Sequence, residues 1–244
     1  MHLDNGEKAA AWNAYVEQLY GRFIQNTVSK QKVYRGVPNE TPVSSPVCQV
    51  ILTDTVTAAE QLCKLGGRVC VLNFASYKNP GGGYIRGAFA QEEALCFESI
   101  LYQCISSAPE YYAYNNKHLE RGAYTNAAIY SPEMLFEHRG STFMCDVLTC
   151  AAPNRYRYSP FTPEEMNLVM DDRIRFMYKV VACNNVDVLV VGAWGCGVFH
   201  QDPQFVAYAL KKYAGLSGCS KVVAAVPNGN TKNVQAFLHY WNSR

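Results

Sequence analysis

Two adjacent carboxylates, Glu92 and Glu93, are the residues of this sequence best suited to acid–base chemistry. They follow three consecutive glycines, Gly81–Gly83, then seven intervening residues and Gln91. Neighbouring residues of a helix point about 100° apart, so only one of the two can face a given bond well. We expect one carboxylate to act as acid or base, and the other to orient a hydroxyl or cap the helix. Taken alone, acids in a first helical turn more often stabilise the helix dipole.

Glycine-rich loops follow two apolar runs of the chain. Val69–Phe74 precedes Gly81–Gly83, and Val186–Val191 precedes a second loop, Gly192–Phe199. Short apolar runs bounded by turn residues are typical of buried strands, and ligands of open α/β sheets bind beyond the carboxyl ends of strands. Two such loops predict a cradle of backbone N–H groups for a diphosphate. Glycines that merely make turns are the alternative.

Aromatic and sulfur-containing side chains accompany these loops. Tyr84 and Phe199 could each stack on a base or a ribose, and for Tyr84 ordinary packing is an equally good interpretation. Cys196 could be a reactive thiol, but a small packing residue is the favoured interpretation.

Several familiar sites are absent from the sequence. Neither GxxxxGK[ST] nor GxGxxG occurs, which argues against a Walker-type site and the common dinucleotide fingerprint. There is no GxSxG elbow, and the five histidines have neither metal nor triad spacing. The ten cysteines include no CxxC pair, so a zinc cluster is not indicated.

The composition is that of a globular protein. The 244 residues are 49% hydrophobic and 17% charged, with a formal net charge of +2. This small charge, with Lys and Arg dispersed, predicts binding neither to duplex nucleic acid nor to a membrane surface. No apolar run approaches the ~20 residues of a membrane span, and the N-terminus does not look like a signal peptide. We expect a cytoplasmic protein with reduced thiols, with access to the nucleus if the source is eukaryotic.

Strands alternate with helices along the chain, which predicts an α/β fold with helices on both faces of a largely parallel or mixed sheet. We expect one domain over residues 1–244, with residues 1–46 as an N-terminal helix and loop. The predicted helices span roughly residues 7–30, 55–65, 91–106, 163–183, 203–213 and 231–241. The predicted strands span residues 47–52, 69–74, 127–130, 134–137, 142–152, 186–191 and 221–226. Irregular segments are expected at residues 32–46, 108–126 and 153–161.

The pattern of GGG, seven residues and then QEE, in residues 81–93, resembles the signature of the poly(ADP-ribose) glycohydrolases. The segments NFASYKNPGGG (73–83) and GAWGCGVF (192–199) resemble its short, bacterial-type branch, which is also found in fungi and some viruses. The resemblance covers roughly residues 45–215. It implies a macrodomain-like fold that binds ADP-ribose, with three αβα layers, a central mixed sheet and an extra N-terminal helix. We expect no counterpart of the accessory domain found in animal members.

The resemblance also implies roles for individual residues. Glu93 would be the catalytic acid/base, whereas Glu92 would hold a ribose hydroxyl and help to place the scissile bond. Adenine contacts would involve the start of the second helix, around Thr53 and Asp54. The implied substrate-binding residues are Asn73, Gly81, Gly82, Gly83, Gln91, Gly195, Cys196, Gly197, Val198 and Phe199. No cofactor or metal is expected, and the partners would be ADP-ribose, poly(ADP-ribose) and ADP-ribosylated proteins.

Cleavage of a ribosyl C1″–O bond passes through an oxocarbenium-like state, so the leaving oxygen needs a proton and a water must attack. Common glycosidases divide these tasks between carboxylates roughly 5 to 9.5 Å apart. Adjacent Glu92 and Glu93 do not fit that rule, so we predict that Glu93 performs both tasks.

Other ADP-ribose chemistry remains open from the sequence. A mono-ADP-ribosyl-protein hydrolase, a phosphatase acting on ADP-ribose 1″-phosphate and a non-catalytic ADP-ribose-binding module are the alternatives. Residues 108–126 and the loop with Arg155 and Arg157 are candidates for the leaving-group side.

Overall fold

The computed structural model describes residues 3–37, 41–155 and 161–242, and their strands form one mixed sheet. The strands are β1 (Lys32–Tyr34), β2 (Val47–Ile51), β3 (Val69–Phe74), β4 (Ala128–His138), β5 (Ser141–Cys150), β6 (Val188–Val191) and β7 (Lys221–Ala225). Their order is β1-β4-β5-β3-β6-β7-β2. From β5 to β2 neighbouring strands are parallel, whereas β1 and β4 pair in antiparallel fashion.

Helices cover both faces of this sheet. They are α1 (Asn5–Lys30), α2 (Thr55–Cys63), α3 (Gln91–Phe97), α4 (Leu101–Ser106), α5 (Pro109–Lys117), α6 (Pro163–Ala182), α7 (Pro203–Lys212) and α8 (Thr231–Trp241). Side chains of α1 to α5 belong to one apolar core, and side chains of α6 to α8 belong to another. The three-layer αβα arrangement predicted from the sequence is confirmed.

Strand β3 lies at the centre of the molecule and separates the two cores. Cys70 and Leu72 point into the core beneath α6 to α8, and Val69 and Val71 point into the other. Successive side chains of a strand face opposite sides, so a strand covered on both faces is apolar throughout. The two cores thereby fix the position of Asn73, the next residue of β3.

The predicted helix at residues 91–106 is wrong, since the chain breaks between α3 and α4. The backbone there forms hydrogen bonds with strand β4 instead: Glu137 N donates to Glu98 O at 2.8 Å, and Ile100 N donates to Leu135 O at 3.2 Å. Ser99 pairs with Phe136 in an isolated bridge. The apolar periodicity continues across this break, so the sequence gives no sign of it.

Two segments expected to be irregular contain regular structure. Lys32–Tyr34 adds a short edge strand to β4, too short for a period-2 pattern to reveal. Pro109–Lys117 forms α5, with proline in the first turn and both Tyr111 and Tyr112 buried. Tyr and Asn have modest helix propensity, so burial of these rings stabilises a helix that propensity does not predict.

The two short strands expected at residues 127–130 and 134–137 are halves of the single strand β4. Its register with β5 shifts between Ser131 and Met134, which identifies a bulge. The remaining predicted elements match the structure to within a few residues at their ends. Of the described residues, no helix has the length and apolar character needed to cross a membrane.

Candidate active site

The two glycine loops lie side by side because β3 and β6 are adjacent parallel strands. A cleft of about 1000 Å³ opens between them at the carboxyl ends of the strands. Nine of the residues singled out from the sequence line it: Gly82, Gly83, Gln91, Glu92, Glu93, Gly195, Gly197, Val198 and Phe199. The structure therefore brings both loops and both carboxylates into one cavity.

Asn73, Gly81 and Cys196 lie behind the surface of the cleft. Asn73 is fully buried at the end of β3, and a Cβ on Gly81 would lie 3.0 Å from the ring of Tyr102. Burial raises the pKa of the Cys196 thiol to about 12. Because the thiolate is the reactive form, the geometry favours the packing interpretation of Cys196.

Glu93 holds both ends of the loop between the glycines and α3. Its Oε1 accepts a hydrogen bond from Gly83 N at 2.8 Å, and its Oε2 accepts one from Ala90 N at 3.0 Å. The side chain is only 7% exposed. Both oxygens are thus oriented by backbone donors, which fixes the carboxyl group at the surface of the cleft.

The backbone of Gly82 lies directly against the two carboxyl groups. A Cβ at this position would lie 2.6 Å from Oε1 of Glu93 and 3.0 Å from Oε2 of Glu92. Its φ of +61° also lies in the left-handed region that favours glycine. The backbone can approach the carboxylates this closely only because the residue has no side chain.

Glu92 is the more deeply buried of the pair, with 3% of its surface exposed. Its Oε1 accepts from Asn73 Nδ2 at 3.2 Å, and its Oε2 accepts from Ser76 N at 2.8 Å. Burial, with a contribution from the charge of Glu93, raises the pKa of Glu92 from 4.5 to about 8. Glu92 therefore holds a proton at neutral pH in the free protein.

The raised pKa of Glu92 predicts a pH-dependent stability. Below pH 4.5 the folded and unfolded states both hold this proton, whereas between pH 4.5 and about 8 only the folded state holds it. The free energy of unfolding then falls as the pH rises, by a few kcal/mol at about 1.4 kcal/mol per pKa unit. Glu92→Gln should remove this fall. The free energy of unfolding of the variant, measured in urea, should therefore rise relative to that of the wild type between pH 5 and pH 8.

The comparison across pH cancels any pH-independent cost of the substitution. Glu164→Gln, at an exposed position in the first turn of α6, controls for the change in net charge. A difference between Glu92→Gln and wild type that stays constant from pH 5 to pH 8 would contradict the prediction.

Gln91 links the end of β3 to α2 through hydrogen bonds of its side chain. Its Oε1 accepts from Phe74 N at 2.8 Å, and its Nε2 donates to Leu72 O at 2.9 Å and to Thr55 Oγ1 at 3.3 Å. Asn73, between these two backbone groups, has a buried Oδ1 without a hydrogen-bond partner in the described residues. Buried acceptors are normally satisfied, so this oxygen is an unused acceptor behind the cleft wall, beside the amide that binds Glu92.

The second loop is packed tightly against the ends of the strands. A Cβ on Gly192 would lie 2.5 Å from Ala225 O, and one on Gly195 would lie 2.8 Å from the side chains of Ala152 and Gln201. Gly197 has open space around it. The loop thus has a fixed base and an accessible tip, as a cradle for a ligand requires.

Tyr84 does not face the cleft, so the packing interpretation is confirmed. Its ring is fully buried against Phe97 and Tyr102, and its hydroxyl donates to Asn13 Oδ1 of α1 at 3.0 Å. Asn5 of the same helix donates from Nδ2 to Gly87 O at 3.2 Å. Helix α1 therefore supports the loop that Glu93 closes.

Some residues of the cleft have no counterpart in the motifs. His138 lines one end, with Nδ1 bonded to the Glu98 carboxylate and Nε2 3.2 Å from Thr57 Oγ1. Asp54 also lines the cleft, whereas Thr53 does not. His138, at the end of β4, joins Thr57 of α2 to Glu98, the residue after α3, through contacts that no local pattern shows. Arg157 lies outside the described residues.

Comparison with known proteins gives a consistent picture. A family model for the microbial-type PARG catalytic domain matches residues 12–138, more than half of the chain. The structure is similar to poly(ADP-ribose) glycohydrolase from Thermomonospora curvata, with a TM-score of 0.82, 27% sequence identity, and coverage of 95% of this chain and 98% of that one. No curated protein matches.

Similar structures include complexes with ligands. The poly(ADP-ribose) glycohydrolase of Deinococcus radiodurans bound to ADP-ribose has a TM-score of 0.79 and 28% identity, covering 90% of this chain and 97% of that one. The Thermomonospora curvata enzyme bound to the inhibitor ADP-HPD has a TM-score of 0.80 and 27% identity, covering 95% and 98%.

Proposed function

The chain belongs to the family of microbial-type PARG catalytic domains, and from that premise we propose that it is a poly(ADP-ribose) glycohydrolase. It hydrolyses the ribose–ribose O-glycosidic bond of poly(ADP-ribose) and releases ADP-ribose. One observation carries the proposal: two buried carboxylates, Glu92 and Glu93, lie under the backbone of Gly82 in a cleft that continues to a second glycine loop.

Glu93 supplies the acid–base chemistry in this proposal. It protonates the leaving oxygen and then, as a carboxylate, takes a proton from the water that attacks C1″. The N–H groups of Gly83 and Ala90 hold it in place for both steps. The diphosphate lies along Gly195–Phe199 and stabilises the positive charge that develops on the ribose.

The remaining polar groups orient the distal ribose. Glu92 accepts a hydrogen bond from one ribose hydroxyl, and Asn73 orients Glu92 for this role by donating from Nδ2 to its Oε1. Gly82 and Gly83 contact the ribose and the adjoining phosphate through their backbone, which can approach closely because glycine has no side chain.

A substrate panel tests the proposal. The purified protein is incubated with poly(ADP-ribose), with proteins that carry single ADP-ribose groups of defined linkage, and with ADP-ribose 1″-phosphate. Release of ADP-ribose from the polymer at the highest kcat/KM is the expected result. Preference for a mono-ADP-ribosyl linkage, or ADP-ribose binding without release from any substrate, would contradict it.

We also propose ADP-ribosylated proteins as partners, since they carry the polymer. The formal charge of only +2 supports the absence of duplex nucleic acid among the ligands.

A further inference from the structure

A tyrosine in the cleft wall, close in sequence to a residue that binds Glu92, is stacked on a second tyrosine. Tyr77 lines the cleft, and its ring lies face to face with that of Tyr124, with 4.3 Å between centroids and 21° between planes. Tyr77 directly follows Ser76, whose N–H donates to Glu92. The stacked pair is therefore anchored at the same place as one of the two carboxylates.

The pair lies on the side of β3 that faces away from the diphosphate loop. β3 has β6 on one side and β5 on the other, and Gly192–Phe199 follows β6. Tyr124 is tied to the end of β5, because one guanidinium group, that of Arg173, donates both to Tyr124 O and to Ala151 O. A molecule that extends through the cleft from the carboxylates away from the diphosphate therefore meets Tyr77, the member of the pair that lines the cleft.

The position of Tyr124 is maintained at a cost in free energy. Its φ of +55° is rare for a residue with a large side chain. Arg173, 2% exposed, holds it in place by donating to Ala123 O at 2.8 Å and to Asn126 Oδ1 at 2.7 Å. Burial of a guanidinium among neutral oxygens is unfavourable, and strained backbone of this kind clusters at functional sites.

We propose that Tyr77, backed by Tyr124, stacks on the adenine of the adenosine that leaves when the polymer is cleaved. The inference rests on the proposed function. The scissile bond joins C1″ to a hydroxyl oxygen of an adenosine ribose, so the leaving group carries an adenine one sugar away from Glu93. One face of the Tyr77 ring is occupied by Tyr124, and Tyr77 lines the cleft. Every base has a π-face, so an aromatic ring is a suitable platform.

Comparing the affinity for ADP-ribose with the affinity for a two-unit ADP-ribose chain separates this role from general ADP-ribose binding. In a Glu93→Gln background, Tyr77→Ala should weaken binding of a two-unit ADP-ribose chain by roughly 5- to 150-fold, which is the ~1–3 kcal/mol of one stacked base. The Kd for ADP-ribose itself should not change. Tyr77→Trp should retain binding of the two-unit chain, whereas Tyr77→Leu should behave like Tyr77→Ala, because it is apolar but cannot stack.

Tyr208→Ala, which removes a partly exposed ring from α7, is the matched control and should change neither affinity. If Tyr77→Ala weakened binding of ADP-ribose and of the two-unit chain equally, the proposal would be overturned, because Tyr77 would then belong to the ADP-ribose site itself. Unchanged binding of the two-unit chain to Tyr77→Ala would overturn it as well. Failure of the proposed function is a separate result, since the wild type would then release no ADP-ribose from polymer.

Discussion

Replacement of Glu93 by glutamine should reduce the turnover of poly(ADP-ribose) at least ~10²-fold, the usual contribution of a general acid or base. The amide cannot donate a proton to the leaving oxygen or take one from water. Its shape is nearly that of the carboxyl group, so it can still accept from Gly83 N, although Ala90 N loses its acceptor. Binding of ADP-ribose, measured by calorimetry, should therefore remain within a few-fold of the wild type.

Glu92→Gln is the matched comparison for this variant. Glu92 binds a ribose hydroxyl in the proposed mechanism, so its replacement should weaken ADP-ribose binding more than Glu93→Gln does, and should lower kcat less. Glu164→Gln, on the exposed surface of α6, should change neither quantity. Because the pKa of Glu92 is raised to about 8, the comparison also tests the opposite assignment. A larger loss of kcat in Glu92→Gln, with near-normal turnover in Glu93→Gln, would exchange the two roles.

The Gly82→Ala variant should lose activity to a similar extent through geometry alone. The added methyl group would lie 2.6 Å from Oε1 of Glu93, well inside van der Waals contact, so either the carboxyl group or the loop must move. A displacement of about 1 Å at a reacting group can cost 10²-fold in rate. The left-handed φ of +61° adds strain of about 1–2 kcal/mol. Steady-state release of ADP-ribose and urea unfolding measure the two effects.

Gly21→Ala provides the control for Gly82→Ala. Gly21 lies within α1, where an added Cβ would meet no atom within 4 Å. Its replacement should leave turnover unchanged and stabilise the protein by roughly 0.5–1 kcal/mol, because glycine loses more backbone entropy than alanine in a helix. Wild-type turnover in Gly82→Ala would show that the close approach of this backbone to the carboxylates is not needed.

The amino-acid sequence by itself determined the central part of the site. Three local patterns predict the elements they form: the apolar run of β3, the turn residues after it and the acids at the start of α3. The same holds for β6 and its glycine loop. Helices alternating with apolar strands predict parallel strands whose carboxyl ends share one edge of the sheet, whereas the adjacency of β3 and β6 is seen only in the structure.

Only the tertiary structure decided how the two carboxylates differ. Glu93 closes a loop between Gly83 and Ala90, whereas Glu92 is buried against Asn73 and Ser76, and this burial raises the pKa of Glu92. Their identical types and adjacent positions contain no such distinction. It arises from desolvation and from hydrogen bonds to particular backbone groups, both of which depend on three-dimensional placement.

Contacts distant in sequence decided the remaining features. Strand β4 interrupts the predicted helix at Glu98–Ile100, α1 holds the buried Tyr84, and Arg173 places Tyr124 on Tyr77. Each contact joins residues roughly 35 to 70 positions apart, beyond the reach of hydrophobic periodicity or turn chemistry. The sequence therefore determined which strand, loops and acids make the site, whereas packing between distant segments decided what each acid faces and what covers it.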